Sequence, residues 1–76
     1  MTDVVILADL WDGDTEAVIT TWLAAEGGSV RPGDLLAEIM VEKAQYEIRS
    51  PAAGRLTILK DTDAVIIKGD TIARIT

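Results

Sequence analysis

Apolar residues recur along much of this chain with a period of two. Leu35, Ala37, Ile39 and Val41 alternate with Leu36, Glu38, Met40 and Glu42, and Ala44, Tyr46 and Ile48 alternate with Gln45, Glu47 and Arg49. Residues two apart share one face of a strand, so this spacing predicts strands. Glycine and proline interrupt the chain at Gly13, Gly27-Gly28, Pro32-Gly33, Pro51, Gly54 and Gly69, leaving pieces of strand length. The one stretch with helical character, Thr20 to Glu26, ends at the double glycine and places Thr20 and Thr21 before Trp22, so it reads better as a strand entering a turn. The expected strands are Val4 to Leu7, Ala17 to Leu23, a short piece around Val30, Leu35 to Val41, Gln45 to Arg49, Gly54 to Leu59, a short piece around Val65, and Thr71 to Ile75. Trp22, beside Leu23, is expected in the core.

The pattern also repeats at longer range. Val30-Arg31-Pro32-Gly33-Asp34-Leu35-Leu36-Ala37-Glu38-Ile39 matches Ile66-Ile67-Lys68-Gly69-Asp70-Thr71-Ile72-Ala73-Arg74-Ile75 at an offset of 36. Upstream, Ile19 and Trp22 match Leu56 and Leu59 at an offset of 37, which places one lost residue in the second turn. Two copies are too few for a solenoid, and each alone exposes its apolar face, so two sheets packed with approximate two-fold symmetry are expected. Gly33 and Gly69 suit turns that need a positive φ, and Asp34 and Asp70 can accept bonds from the turn amides. Isoleucine, threonine and valine fill 23 of the 76 positions, in keeping with an all-β chain.

Length and composition narrow the function. Seventy-six residues form one domain, 1–76. The absence of cysteine and histidine excludes disulfides, thiolate nucleophiles, an imidazole base and the usual zinc ligand sets. A formal charge of −6 repels phosphate backbones and anionic lipid, so neither nucleic acid nor a membrane surface is an expected partner. The longest apolar run, Val4 to Ala8, is far short of the ~20 residues of a membrane span, and Met1-Thr2-Asp3 lacks the positive flank of a secretory signal. A soluble, intracellular protein is the expectation.

Candidate chemistry concentrates where the two copies join. Met40 to Gln45 lies between them, and the alternation on either side makes it a hairpin with Glu42-Lys43 at its tip. The tip has no Asn-Gly or Gly-Gly, so ease of turn formation did not select it. Lys43 is one of three lysines. An amine held in water is protonated and a poor nucleophile, so chemistry done to Lys43 is a better reading than chemistry done by it. A plain solvated turn lysine fits the local pattern as well. The acidic segment Asp9-Leu10-Trp11-Asp12-Gly13-Asp14-Thr15-Glu16 faintly resembles a calcium loop but lacks the ligand series and its closing glutamate.

The segment Glu38-Ile39-Met40-Val41-Glu42-Lys43-Ala44-Gln45-Tyr46-Glu47-Ile48-Arg49-Ser50-Pro51-Ala52-Ala53-Gly54 resembles the attachment motif of the biotinyl/lipoyl carrier domains. Glu16 to Leu23, Glu26-Gly27 and Val30 to Asp34 follow in that family's order, so the resemblance covers nearly the whole chain. It implies a barrel-sandwich hybrid, a flattened eight-stranded β-barrel of two sheets with pseudo-two-fold symmetry. It also implies that Lys43 carries the prosthetic group, with Glu42 and Ala44 read by the attaching enzyme. Biotinyl domains have methionine on both sides of the lysine, whereas Glu42 and Ala44 favour lipoate; the alternatives are a biotin carrier domain of a carboxylase and an unmodified barrel-sandwich module that only binds a partner, with Lys43 incidental. The chain departs from the family at Glu42, where aspartate is usual, at Ala17, where glycine is frequent, and at Lys60 to Asp63, a weak match to the second Glu-Gly-Asp turn.

Lipoate supplies sulfur chemistry that the chain lacks, and its attachment to Lys43 changes the formal charge from −6 to −7. The partners implied are a lipoate-attaching ligase, a thiamine-dependent 2-oxo acid dehydrogenase component, an acyltransferase core, and the flavoenzyme dihydrolipoamide dehydrogenase. A carrier without an active site of its own is implied, monomeric when isolated and cytoplasmic, or in the mitochondrial matrix of a eukaryote. The resemblance also implies that Asp9, Leu10, Trp11 and Asp12, on the loop after the first strand and near the modified hairpin, help a partner enzyme choose its carrier. The other arrangement folds Trp11 back over apolar surface and leaves the acids in water. Glu38 and Glu47 add negative charge near the tip, either guiding a basic partner or solvating the hairpin.

Overall fold

A computed structural model describes residues 1–76. Eight strands follow in order: β1 (Thr2–Val5), β2 (Ala17–Trp22), β3 (Ser29–Val30), β4 (Leu35–Val41), β5 (Ala44–Arg49), β6 (Gly54–Ile58), β7 (Val65–Ile66) and β8 (Thr71–Ile75). They form two antiparallel four-stranded sheets, ordered β1-β8-β6-β3 and β5-β4-β2-β7. Moving every strand four places along the chain turns one order into the other, and that is the two-fold of the barrel-sandwich. The β4–β5 hairpin tip and the meeting point of β8 with β1, where the chain begins and ends, are the two-fold mates at opposite ends.

The symmetry extends to single residue pairs across the ladders and to single turn hydrogen bonds. Leu35↔Arg49, Ala37↔Ile48, Glu38↔Glu47 and Ile39↔Tyr46 between β4 and β5 are matched by Thr71↔Val5, Ala73↔Val4, Arg74↔Asp3 and Ile75↔Thr2 between β8 and β1. In the Gly-Asp turns, Asp34 Oδ2 accepts from the Arg31 amide and Asp70 Oδ2 from the Ile67 amide, each at 2.9 Å. Gly33 and Gly69 have φ of 88° and 93°, angles that favour glycine. The core is shared between the copies: Ile19 and Leu56, Leu36 and Ile72, Ala37 and Ala73, and Val30 and Ile66 are buried mates.

Besides one-residue differences at the ends of β2, β5 and β6, three details depart from the sequence expectation. β1 covers Thr2–Val5 rather than Val4 to Leu7, because β8 pairs with it from Thr2 onward. Leu7 is exposed. The residue that offsets the copies is not missing from the second turn. It is Thr20, an extra residue inside β2 where the pairing with β4 shifts between Ile19 and Thr21. Ile19 therefore matches Leu56, but the mate of Trp22 is Ile58, since these two pair with the mates Ala37 and Ala73. Trp22 is half-buried rather than core. Its indole N–H needs an acceptor, and it reaches one, the Lys60 carbonyl at 2.8 Å, at the edge of the core.

The weak match at Lys60 to Asp63 is still the same turn. Asp63 has φ 75°, and its mate Gly27 has φ 76°. Their amides make equivalent bonds to Ile19 and Leu56 carbonyls at 2.8 and 2.7 Å. Aspartate is among the residues that tolerate this left-handed angle best.

Candidate functional site

Val41 and Ala44 are the last pair of the β4–β5 ladder, so Glu42 and Lys43 alone form the turn. The buried Ile39 and Val41 fix the register, because a slip of one residue would turn them into water. Glu42 has φ 55°, a left-handed angle costing a non-glycine residue about 1–2 kcal/mol. This strain sits beside the lysine that the sequence singles out. Glu42, Lys43 and Ala44 are all exposed.

The three lysines differ in what holds them. Lys43 takes part in no ion pair and no side-chain hydrogen bond. The amine of Lys68 is occupied: it donates to the Gly13 carbonyl and lies 5.3 Å from the Trp11 ring centroid. Lys60 is exposed, but it lies on the flank of the scaffold, its amide bonded to the Ile72 carbonyl and its own carbonyl taken by Trp22. Only Lys43 stands on a hairpin tip.

The other residues named from the sequence fall into two groups. On the outer face of the hairpin, Glu38 lies directly opposite Glu47. Like charges so placed destabilise a sheet, and Glu47 is compensated by Arg49 at 3.1 Å. In the β1–β2 connection, Asp9 and Asp12 are exposed, whereas Leu10 packs against the core. Trp11 is only 5% exposed. Its ring is folded back, 6.1 Å from that of Tyr46 on β5, and its indole N–H donates to the Thr15 carbonyl at 3.0 Å. The acids of this loop face water while its aromatic faces inward.

Sequence reasoning missed Tyr46 and Lys68. Tyr46 looked like one more alternating strand residue. Lys68 carried one signal, standing where the other copy of the repeat has Pro32, but its hydrogen-bond partner is 55 residues away along the chain. Between the free edges of β1 and β5 lies an open cleft of about 330 Å³, apolar at Val4, Val5, Leu7, Leu10, Ile48 and Pro51 and rimmed by Asp3, Glu47 and Arg49.

A two-fold β scaffold presenting a single lysine on a strained two-residue tip has the architecture of a prosthetic-group attachment domain. The Biotin_lipoyl family model, described as "Biotin-requiring enzyme", matches residues 5–75. The chain belongs to this biotinyl/lipoyl attachment family. It is 41% identical over 70 residues to the dihydrolipoyllysine-residue acetyltransferase component of a pyruvate dehydrogenase complex from Corynebacterium glutamicum, covering 91% of this chain and 10% of that protein. It is 40% identical over 58 residues to the lipoamide acyltransferase component of a branched-chain alpha-keto acid dehydrogenase complex from Pseudomonas aeruginosa, covering 76% of this chain and 14% of that protein. The chain thus spans a small fraction of the curated relatives it matches. In fold it is similar to the lipoyl domain of the 2-oxoglutarate dehydrogenase complex from Azotobacter vinelandii, with a TM-score of 0.72, 21% identity, and coverage of 96% and 95% of the two chains.

Proposed function

We propose that this chain is a lipoyl carrier domain: lipoate is joined by an amide to the Lys43 side chain, and the arm serves successive active sites of a 2-oxo acid dehydrogenase complex. The observation that carries the reading is the position of Lys43, the one lysine of three on an exposed hairpin tip with its amine free of internal partners. When attached, the group supplies a cyclic disulfide, the redox and acyl-accepting chemistry absent from a chain with no cysteine. The protein's part is mechanical. The β4–β5 ladder keeps the tip clear of the core, the short turn fixes the direction in which the lysine leaves the scaffold, and the flanking glutamates keep the surroundings wet. Tethering holds the reactive end at high effective concentration near each partner.

The relatives, named as acyltransferase components of pyruvate and branched-chain dehydrogenase complexes, support lipoate over biotin, as do Glu42 and Ala44 beside the lysine. The partners proposed are a lipoate ligase, a thiamine-dependent dehydrogenase component, an acyltransferase core and dihydrolipoamide dehydrogenase. Intact-mass measurement tests this. After incubation with lipoate ligase, lipoate and ATP, one lipoyl adduct is expected, mapping to Lys43. Lys43→Ala abolishes it while changing stability by no more than ~0.5 kcal/mol, as at an ordinary surface position. No adduct, or one on Lys60 or Lys68, overturns the reading. A biotin adduct formed by biotin ligase in place of lipoate moves it to a biotin carrier.

A further inference from the structure

The two copies of the repeat differ most beside the lysine hairpin. Between β1 and β2 the chain takes residues 6–16, whereas the mate connection between β5 and β6 needs only residues 50–53. Two further departures from symmetry occur in the same place: Lys68 stands where the first copy has Pro32, and Tyr46 where its mate is Thr2. All three meet at Trp11. The indole lies against Tyr46, Lys68 covers it with its ammonium and bonds the Gly13 carbonyl, and the indole N–H holds the Thr15 carbonyl. The long loop is therefore fastened at its centre to β5 and to the β7–β8 turn, while Asp9, Asp12 and Asp14 remain exposed.

We propose that Trp11, Tyr46 and Lys68 form a clamp that holds the acidic loop in one place beside the hairpin, and that Lys68 is a positioning residue for the decarboxylating partner that acylates the arm. The inference rests on the carrier reading above. A loop ordered before encounter spares the complex the entropy of ordering it, which tightens binding without altering the chemical step. Loosening the clamp therefore raises KM for the lipoylated domain and leaves kcat unchanged. An arginine at 68 keeps the charge, a donor and the cation–ring contact.

The test uses lipoylated wild-type protein, Lys68→Met, Lys68→Arg and, as a control for lost charge outside the clamp, Lys60→Met. Each is titrated against the thiamine-dependent components of pyruvate, branched-chain and 2-oxoglutarate dehydrogenase complexes, with their own 2-oxo acids. The expected result, for whichever component acylates the wild type best, is a KM raised about three- to tenfold in Lys68→Met, between the worth of an exposed cation–ring contact and that of a desolvated one, as suits a half-buried lysine. The kcat is unchanged, KM returns to near wild type in Lys68→Arg, and it stays near wild type in Lys60→Met. Amide hydrogen exchange across Asp9 to Asp14 quickens in Lys68→Met alone. Acylation of the wild type with equal KM in Lys68→Met, or an equal rise in Lys60→Met, overturns the clamp and leaves the carrier reading standing. Failure of all three components to acylate lipoylated wild type overturns the carrier reading and the clamp with it.

Discussion

At the end of the molecule where β8 meets β1, Asp3 and Arg74 face one another across the ladder and pair at 2.9 Å. At the lysine end, the two-fold mates of those positions are Glu47 and Glu38. The backbone register is the same at both ends and the charges are not. The scaffold accepts either pattern because its stability comes from the apolar mates between the sheets, whereas an exposed pair contributes only about 0–1 kcal/mol. The termini end carries the pairing that favours the fold. The hairpin end carries a like-charge pair, a left-handed glutamate and a free amine, an accumulation of small costs expected where a surface serves something besides folding.

The comparison is sharpest in the core. Leu36→Ala and Ile72→Ala remove two-fold mates that are both fully buried. Each is expected to lower unfolding free energy by about 2–5 kcal/mol in denaturant titration, with similar values for the pair. A large inequality would show that the copies share geometry without sharing energetics. Next in size is the turn where Gly27 and Asp63 adopt nearly the same φ. A Cβ at Gly27 meets nothing within 4 Å, so only backbone strain opposes substitution there. Gly27→Ala is expected to cost about 1–2 kcal/mol, and Gly27→Asp, which copies the second turn into the first, clearly less. If the two variants melt together, aspartate has no advantage at this angle and the equivalence of the turns is only apparent. Smallest is the charge pair itself. Glu38→Arg reproduces the Asp3–Arg74 arrangement opposite Glu47 and is expected to stabilise the fold by about 0.2–1 kcal/mol at low ionic strength. The gain should fade in 1 M salt. A loss of stability at low salt would mean that Glu38 already has a favourable role at the hairpin.

Much of this was legible in the residues. The alternation in Leu35 to Arg49 marked the hairpin and its tip, and the Gly-Asp repeat marked the doubled sheet, because strand faces and tight turns are properties of neighbouring residues. The position of Lys43 followed from the same local pattern. The two tryptophans were harder. Trp22, inside a strand, looked like core and is half-buried, while Trp11, in an acidic loop, is the more deeply buried of the two. The environment of each ring is set by elements distant in sequence: Lys60 for one, Tyr46 and Lys68 for the other. Thr20 was equally hidden. An extra residue in β2 becomes visible only once the pairing with β4 shows where the register shifts.

Period-two patterning, glycine at left-handed turns and a repeat near 36 residues are enough to specify eight strands, their two-fold relation and a lysine at a hairpin tip, since each is encoded within a few adjacent positions. The fastening of the acidic loop, the burial of Trp11 and the contrast of charges at the two ends required the folded chain. They arise from side chains that meet only when one sheet closes over the other, and no local spacing records which distant residue will be there.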